Sequence, residues 1–220
     1  MKNSVKRVLL FFLATPALLA AVFFLPYANH LTFNIIVTLA AGLAGMEVIG
    51  MFRASGLRAG ALPWLGFLAA AVPPAAAIVT TLTAAGSELV LAAAVITVAA
   101  FLAGAAITAK EGHFEAALPN LAAYFFAIAY PGLFALYGVK MTTLPFPSIL
   151  IVVFLCSVFL NDSLAYVTGM LFGRNSRSIL AVSPNKSLAG FAGGFLASIL
   201  VILAAGLLAP GVFPGTIAAR

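Results

Sequence analysis

The chain has 220 residues, 64% of them apolar and 7% charged, with a formal net charge of +6. A soluble domain carries about a quarter charged residues, so this composition excludes a soluble globular protein and indicates a multi-span membrane protein. The basic excess then serves membrane orientation and lipid headgroup contact, and calls for no nucleic acid.

The opening MKNSVKRVLLFFLATPALLAAVFFL has the basic start and apolar centre of a signal peptide. Its apolar run continues to Leu25 without a small-x-small cleavage site, so it reads as an uncleaved first span, with Pro16 as a tolerated kink. A span needs roughly 20 apolar residues. Seven runs qualify, at about 8–25, 32–51, 62–80, 88–109, 120–138, 148–170 and 188–208. The expected fold is therefore an all-α integral membrane protein, divided into N-terminal helices over 1–147 and a functional region over 148–220. Glu88 follows Ser87 at a helix start, where an acid suits the helix dipole. His30 and His113 fall in connections without metal-ligand spacing and are expected at the surface. The lone Cys156 excludes an internal disulfide and reads as a small buried hydrophobe.

The basic residues set the orientation. With a cytoplasmic N-terminus, Lys2, Lys6, Arg7, Arg53, Arg58, Lys110, Arg174, Arg177 and Lys186 all face the cytoplasm, against Lys140 and Arg220 outside. The expected location is the inner membrane of the cell, or another membrane facing the cytoplasm, with the loops RASGLRAG and GRNSRSILAVSPNK on the nucleotide side.

Asp162, the only aspartate, lies inside the apolar run 148–170. An intramembrane acid is costly and marks a functional site, unless a nearby Arg, Asn161 or Ser163 satisfies it structurally. Helical spacing places Asp162, Ala165, Tyr166, Gly169 and Gly173 on one face, a pattern for lining a polar cleft against another helix. In the following VSPNKSLAGFAGG, Ser183 suits an N-cap and Pro184 the first helical position. Lys186 would then be the third helical residue, where a cation conflicts with the dipole unless an anion binds. Backbone N–H groups, Ser183, Ser187 and Lys186 would converge on that anion, a phosphate by their chemistry.

The two segments NDSLAYVTGMLFGR and SPNKSLAGFAGG together resemble the central region of phosphatidate cytidylyltransferases, the CDP-diacylglycerol synthases. Asp162, Ala165, Tyr166, Gly169, Phe172, Gly173 and Arg174 match the family pattern D-x-x-A-Y-x-x-G-x-x-F-G-(K/R). Ser183, Pro184, Lys186, Gly190, Gly193 and Gly194 match S-P-K-K-T-x-E-G-x-x-G-G. Asn185, Ser187, Leu188 and Ala189 depart from it, and the family's later H-G-G-x-x-D-R-x-D element does not occur before Arg220. The expectation is thus a fragment or partly built version of a longer enzyme, inactive alone.

The resemblance implies transfer of CMP from CTP to phosphatidate, with Mg²⁺ as cofactor, the bilayer as surroundings and a homodimer as the assembly. It implies Asp162 and Lys186 as catalytic residues and Asp162 as metal ligand. Asn161, Tyr166, Arg174, Ser183, Asn185 and Ser187 would be substrate contacts. Independently, counting the five acids and placing them by topology leaves Glu47, near the cytoplasmic end of the second span, as a possible helper to Asp162. A CTP-dependent lipid kinase and an ion-coupled transporter using Asp162 are the alternative readings.

Overall fold

The computed structural model describes residues 13, 15–55, 62–83, 85–108, 114–173 and 186–213, and all its regular elements are helices. Among the described residues, five helices are long and apolar enough to cross a membrane: Tyr27–Ala54, Pro63–Leu82, Ala117–Met141, Pro147–Phe172 and Leu188–Leu208. Thr15–Phe24 and Glu88–Ala103 are shorter apolar helices. The fold is an all-α, multi-span membrane bundle in two compact units, residues 1–144 and 145–220.

In the first unit, α1 (Thr15–Phe24) stops at Pro26 and α2 (Tyr27–Ala54) begins on a turn of the opposite hand. Ala28, Asn29 and His30 have φ of 50°, 53° and 56°. Left-handed backbone costs about 1–2 kcal/mol per non-glycine residue, and side chains hold it in place. The Asn29 amide donates to the Thr81 carbonyl at 2.9 Å, and the Asn34 amide to the Asn29 carbonyl at 2.9 Å and to Thr142 Oγ1 at 3.2 Å. His30, expected at the surface, is instead buried and hydrogen-bonded to the Val22 backbone, because the turn folds it back onto α1. His113 lies outside the described residues.

α2 and α3 (Pro63–Leu82) pack backbone to backbone. A Cβ on Gly66 would meet the Gly45 carbonyl oxygen at 2.6 Å, and Ile49 closes over the same glycine. Without a hydrophobic driving force between helices in lipid, such close approach supplies dispersion contact. α4 (Glu88–Thr108) and α5 (Phe114–Ala127) complete the unit with α6 (Leu133–Met141). The Tyr124 hydroxyl accepts from the Leu62 N–H at 2.9 Å, satisfying a donor at the start of α3, while its ring stacks on Phe101.

The span expected over 120–138 is not one regular helix. A π-helical turn, Ile128–Gly132, separates α5 from α6. Pro131 inside it has no N–H to donate and its ring crowds the preceding turn, and the wider turn accommodates both. Gly132 there meets α3, where a Cβ would come within 3.0 Å of the Ala70 carbonyl oxygen.

Gly66→Val should destabilise the bundle by about 1–3 kcal/mol through overpacking. Gly50→Ala, at a position with nothing within 4 Å of the added Cβ, should be neutral or stabilising. Thermal unfolding of the two purified variants in detergent checks the contrast; equal melting temperatures would contradict the α2–α3 seam.

Candidate functional site

The second unit is a helical hairpin of α7 (Pro147–Phe172) and α8 (Leu188–Leu208). Phe146, between two prolines, takes a left-handed conformation (φ 57°), and Pro147 opens α7. The helices meet along glycine. A Cβ on Gly190 would lie 2.7 Å from the Ala165 carbonyl oxygen, one on Gly194 would lie 3.1 Å from Ala165 Cβ, and Gly193 is covered by Thr168.

Ser187 occupies one end of this seam. It is the N-cap of α8, in an extended conformation (φ −92°, ψ 153°), and its Oγ accepts from the Gly190 N–H at 3.1 Å. A continuous helix from Ser183 and Pro184 is therefore excluded: extended backbone at Ser187 breaks it, and Lys186 precedes the cap instead of sitting at the third helical position. The exposed Lys186 still stands beside the positive end of the dipole, and no acid occupies the first turn. Gly169 of α7 and its C-cap Gly173 lie against the Ser187 hydroxyl, at 3.3 and 2.7 Å from where their Cβ atoms would be. The missing side chains leave this corner to the serine and to the backbone.

The expected polar face of α7 divides in two. Ala165, Gly169 and Gly173 turn toward α8 together with Asn161, whose amide donates to the Gly194 carbonyl and to Ser198 Oγ, both at 2.9 Å. Asp162 and Tyr166 are exposed beside that seam, Tyr166 at 72%, so they do not line a cleft between α7 and α8. The split follows from geometry: α8 covers only part of the helix circumference, and the glycines draw it to their own side. The carboxylate of Asp162 has no hydrogen-bond or ion-pair partner among the described residues, and Asn161 spends its amide on α8.

Along α7, Asp162 is seven residues from Gly169 and eleven from Gly173, about 10–16 Å at 1.5 Å per residue. The Ser187 end and the acid are therefore separate positions on one hairpin, which only a ligand of some length would join. Arg174, Ser183 and Asn185 lie outside the described residues. Glu47 is exposed on α2 in the other unit.

Among the described residues, no group of three or more His, Cys, Asp or Glu side chains could hold a metal ion. The hairpin supplies one carboxylate, Asp162, and no nitrogen or sulfur ligand beside it. That donor set fits Mg²⁺ only as an ion that also takes oxygens from substrate phosphates and water.

Residues 5–219 match the model of the cytidylyltransferase family. The chain belongs to this family. The match extends over nearly the whole chain, well beyond the two motif segments, and the activity it brings is that of CDP-diacylglycerol synthases: nucleotidyl transfer in membrane lipid biosynthesis, in a family that uses Mg²⁺. No curated protein and no solved structure matches the chain.

Sequence reasoning missed the Asn161–Ser198 contact, although a visible signal existed: Ser198 follows Gly190 and Gly194 at four-residue spacing. Ser187→Ala should lower stability by about 1 kcal/mol through loss of the cap. Thermal melting in detergent measures it, and an unchanged melting temperature would show that the Gly190 N–H does not depend on that hydroxyl.

Proposed function

We propose that this cytidylyltransferase joins CMP to phosphatidate at the α7–α8 hairpin, with the nucleotide phosphates at the Ser187 end. The reading is carried by one observation: an exposed lysine and a serine hydroxyl, the latter packed against Gly169 and Gly173, stand at an acid-free helix N-terminus. Ser187 Oγ accepts from Gly190, and among the described residues nothing takes its hydrogen, which could be donated to a phosphate oxygen. Lys186 supplies a charge-assisted contact.

In the reaction, a phosphate oxygen of phosphatidate attacks the α-phosphorus of CTP, the bond to the bridging β-phosphate oxygen breaks, and pyrophosphate leaves. No covalent enzyme intermediate is needed, so the protein's contribution is positioning and charge neutralisation. Asp162 would hold Mg²⁺ together with substrate oxygens, and the bound ion would neutralise phosphate charge. Tyr166, exposed one turn from Asp162, and Arg174, Ser183 and Asn185 complete the proposed set of substrate contacts. The active assembly is a homodimer in this reading.

Lys186→Ala should reduce turnover about ten- to a hundredfold, since one charge-assisted hydrogen bond contributes roughly 1.5–3 kcal/mol. Asp162→Asn, nearly isosteric, should abolish most Mg²⁺-dependent turnover and leave the melting temperature unchanged. CTP- and phosphatidate-dependent pyrophosphate release tests both, in a full-length background should the 220-residue chain prove inactive alone, and wild-type kinetics in either variant would remove that residue from the reading.

The same reading includes seven crossings with a cytoplasmic N-terminus, supported by the distribution of basic residues. In a Cys156→Ser background, Lys140→Cys should react with an impermeant maleimide in intact cells, and Arg53→Cys only after permeabilisation. The reverse labelling would overturn the orientation.

A further inference from the structure

The seam between α7 and α8 is nearly periodic. Asn161, Ala165, Gly169 and the C-cap Gly173 recur every four residues along α7, as do Gly190, Gly194 and Ser198 on α8. Small-residue steps bring backbones close but carry little register information. Sliding one helix by a turn, about 5.4 Å, lays small residues on small residues again.

A polar contact removes this degeneracy. Asn161 donates one amide hydrogen to the Gly194 carbonyl and the other to Ser198 Oγ, both at 2.9 Å, and Ser198 Oγ lies 3.3 Å from the same carbonyl. A slide of one turn would leave both amide donors without these acceptors, inside an apolar span where an unmatched donor is costly. Both hydrogens are spent on α8, so the Asn161 amide has none left to give to a substrate phosphate.

We propose that Asn161 is a positioning residue: clamped to Gly194 and Ser198, it sets the axial register of α7 on α8. It thereby sets the distance between Asp162, its chain neighbour, and the Ser187 end. The register claim stands on the hydrogen bonds alone, while its catalytic consequence rests on the proposed role of Asp162. A single buried polar contact that selects one register among several apolar alternatives has precedent in coiled-coil seams.

The test uses the full chain with Cys156→Ser and spin labels on cysteines replacing the exposed Phe154 and Phe191, which lie toward opposite ends of the hairpin and are separated mainly along its axis. Without further change, pulsed electron–electron resonance should give one narrow distance. Asn161→Leu should broaden or shift that distance by about 5 Å, and should raise the Mg²⁺ concentration for half-maximal CMP transfer roughly tenfold. Should Asn161→Leu fail to fold, Ser198→Ala, which removes one of the two acceptors, should move both readouts the same way by less.

An unchanged distance distribution in the variants would overturn the register claim. A shifted distance with wild-type Mg²⁺ dependence would overturn the positioning claim. Failure of the Asp162 reading shows separately, as wild-type Mg²⁺ dependence in Asp162→Asn with the single narrow distance intact.

Discussion

A methyl group on Gly190 would sit 2.7 Å from the Ala165 carbonyl oxygen, closer than real side-chain carbons come. That approach of two backbones governs the hairpin. It requires glycine at Gly190, leaves Gly194 in tight contact with Asn161 and Ala165 and Gly193 under the Thr168 side chain, and turns one strip of α7 inward. The residues on the neighbouring strip, Asp162 and Tyr166, are thereby turned outward. In lipid the driving force for such approach is packing and hydrogen bonding, since burial of apolar surface gains nothing when the solvent is itself apolar. The functional groups are thus distributed by where backbone meets backbone.

The same solvent explains how polar side chains are used. Thr38, Thr80, Thr81, Thr97 and Thr168 each donate to a carbonyl three or four residues back in their own helix. Asn161 and Tyr124 bond across to another element. With no water available, a polar group in a span must find a partner within the protein. Asp162 departs from this pattern, exposed and without a partner among the described residues. In the proposed reading, that carboxylate is the group that meets a metal ion or substrate from outside the hairpin.

Much of the helix layout was legible in the sequence because span length and composition leave few alternatives. The runs at 62–80, 148–170 and 188–208 correspond closely to Pro63–Leu82, Pro147–Phe172 and Leu188–Leu208. The family was legible through residues whose spacing combines glycine packing with an acid and a cation. What escaped was local. Extended backbone at Ser187 moved the start of α8 past the Ser183–Pro184 signal, because a serine with a free N–H three residues on caps equally well. His30 looked like a loop residue because no propensity rule anticipates three consecutive non-glycine residues in left-handed backbone. Tertiary hydrogen bonds from Asn29 and Asn34 sustain that turn, and such bonds are invisible to local reading.

The π turn at Ile128–Gly132 has a consequence for phase. At about 100° per residue, Ala123, Tyr124 and Ala127 share one face, whereas Leu136 and Val139 would point roughly 140° away from it in a straight helix. All five are buried, the first three with residues of α2 and α3 and the last two with Ala76, Ala77 and Val90. The extra residue accommodated by the π turn takes back about 100° of that rotation. α5 and α6 can then present a nearly common face to the bundle. Their periodicity, counted straight through, is one residue out of step with the structure, so straightening the turn with all its residues kept would rotate α6 by about 100°, whereas a one-residue deletion there would leave α6 facing as it does.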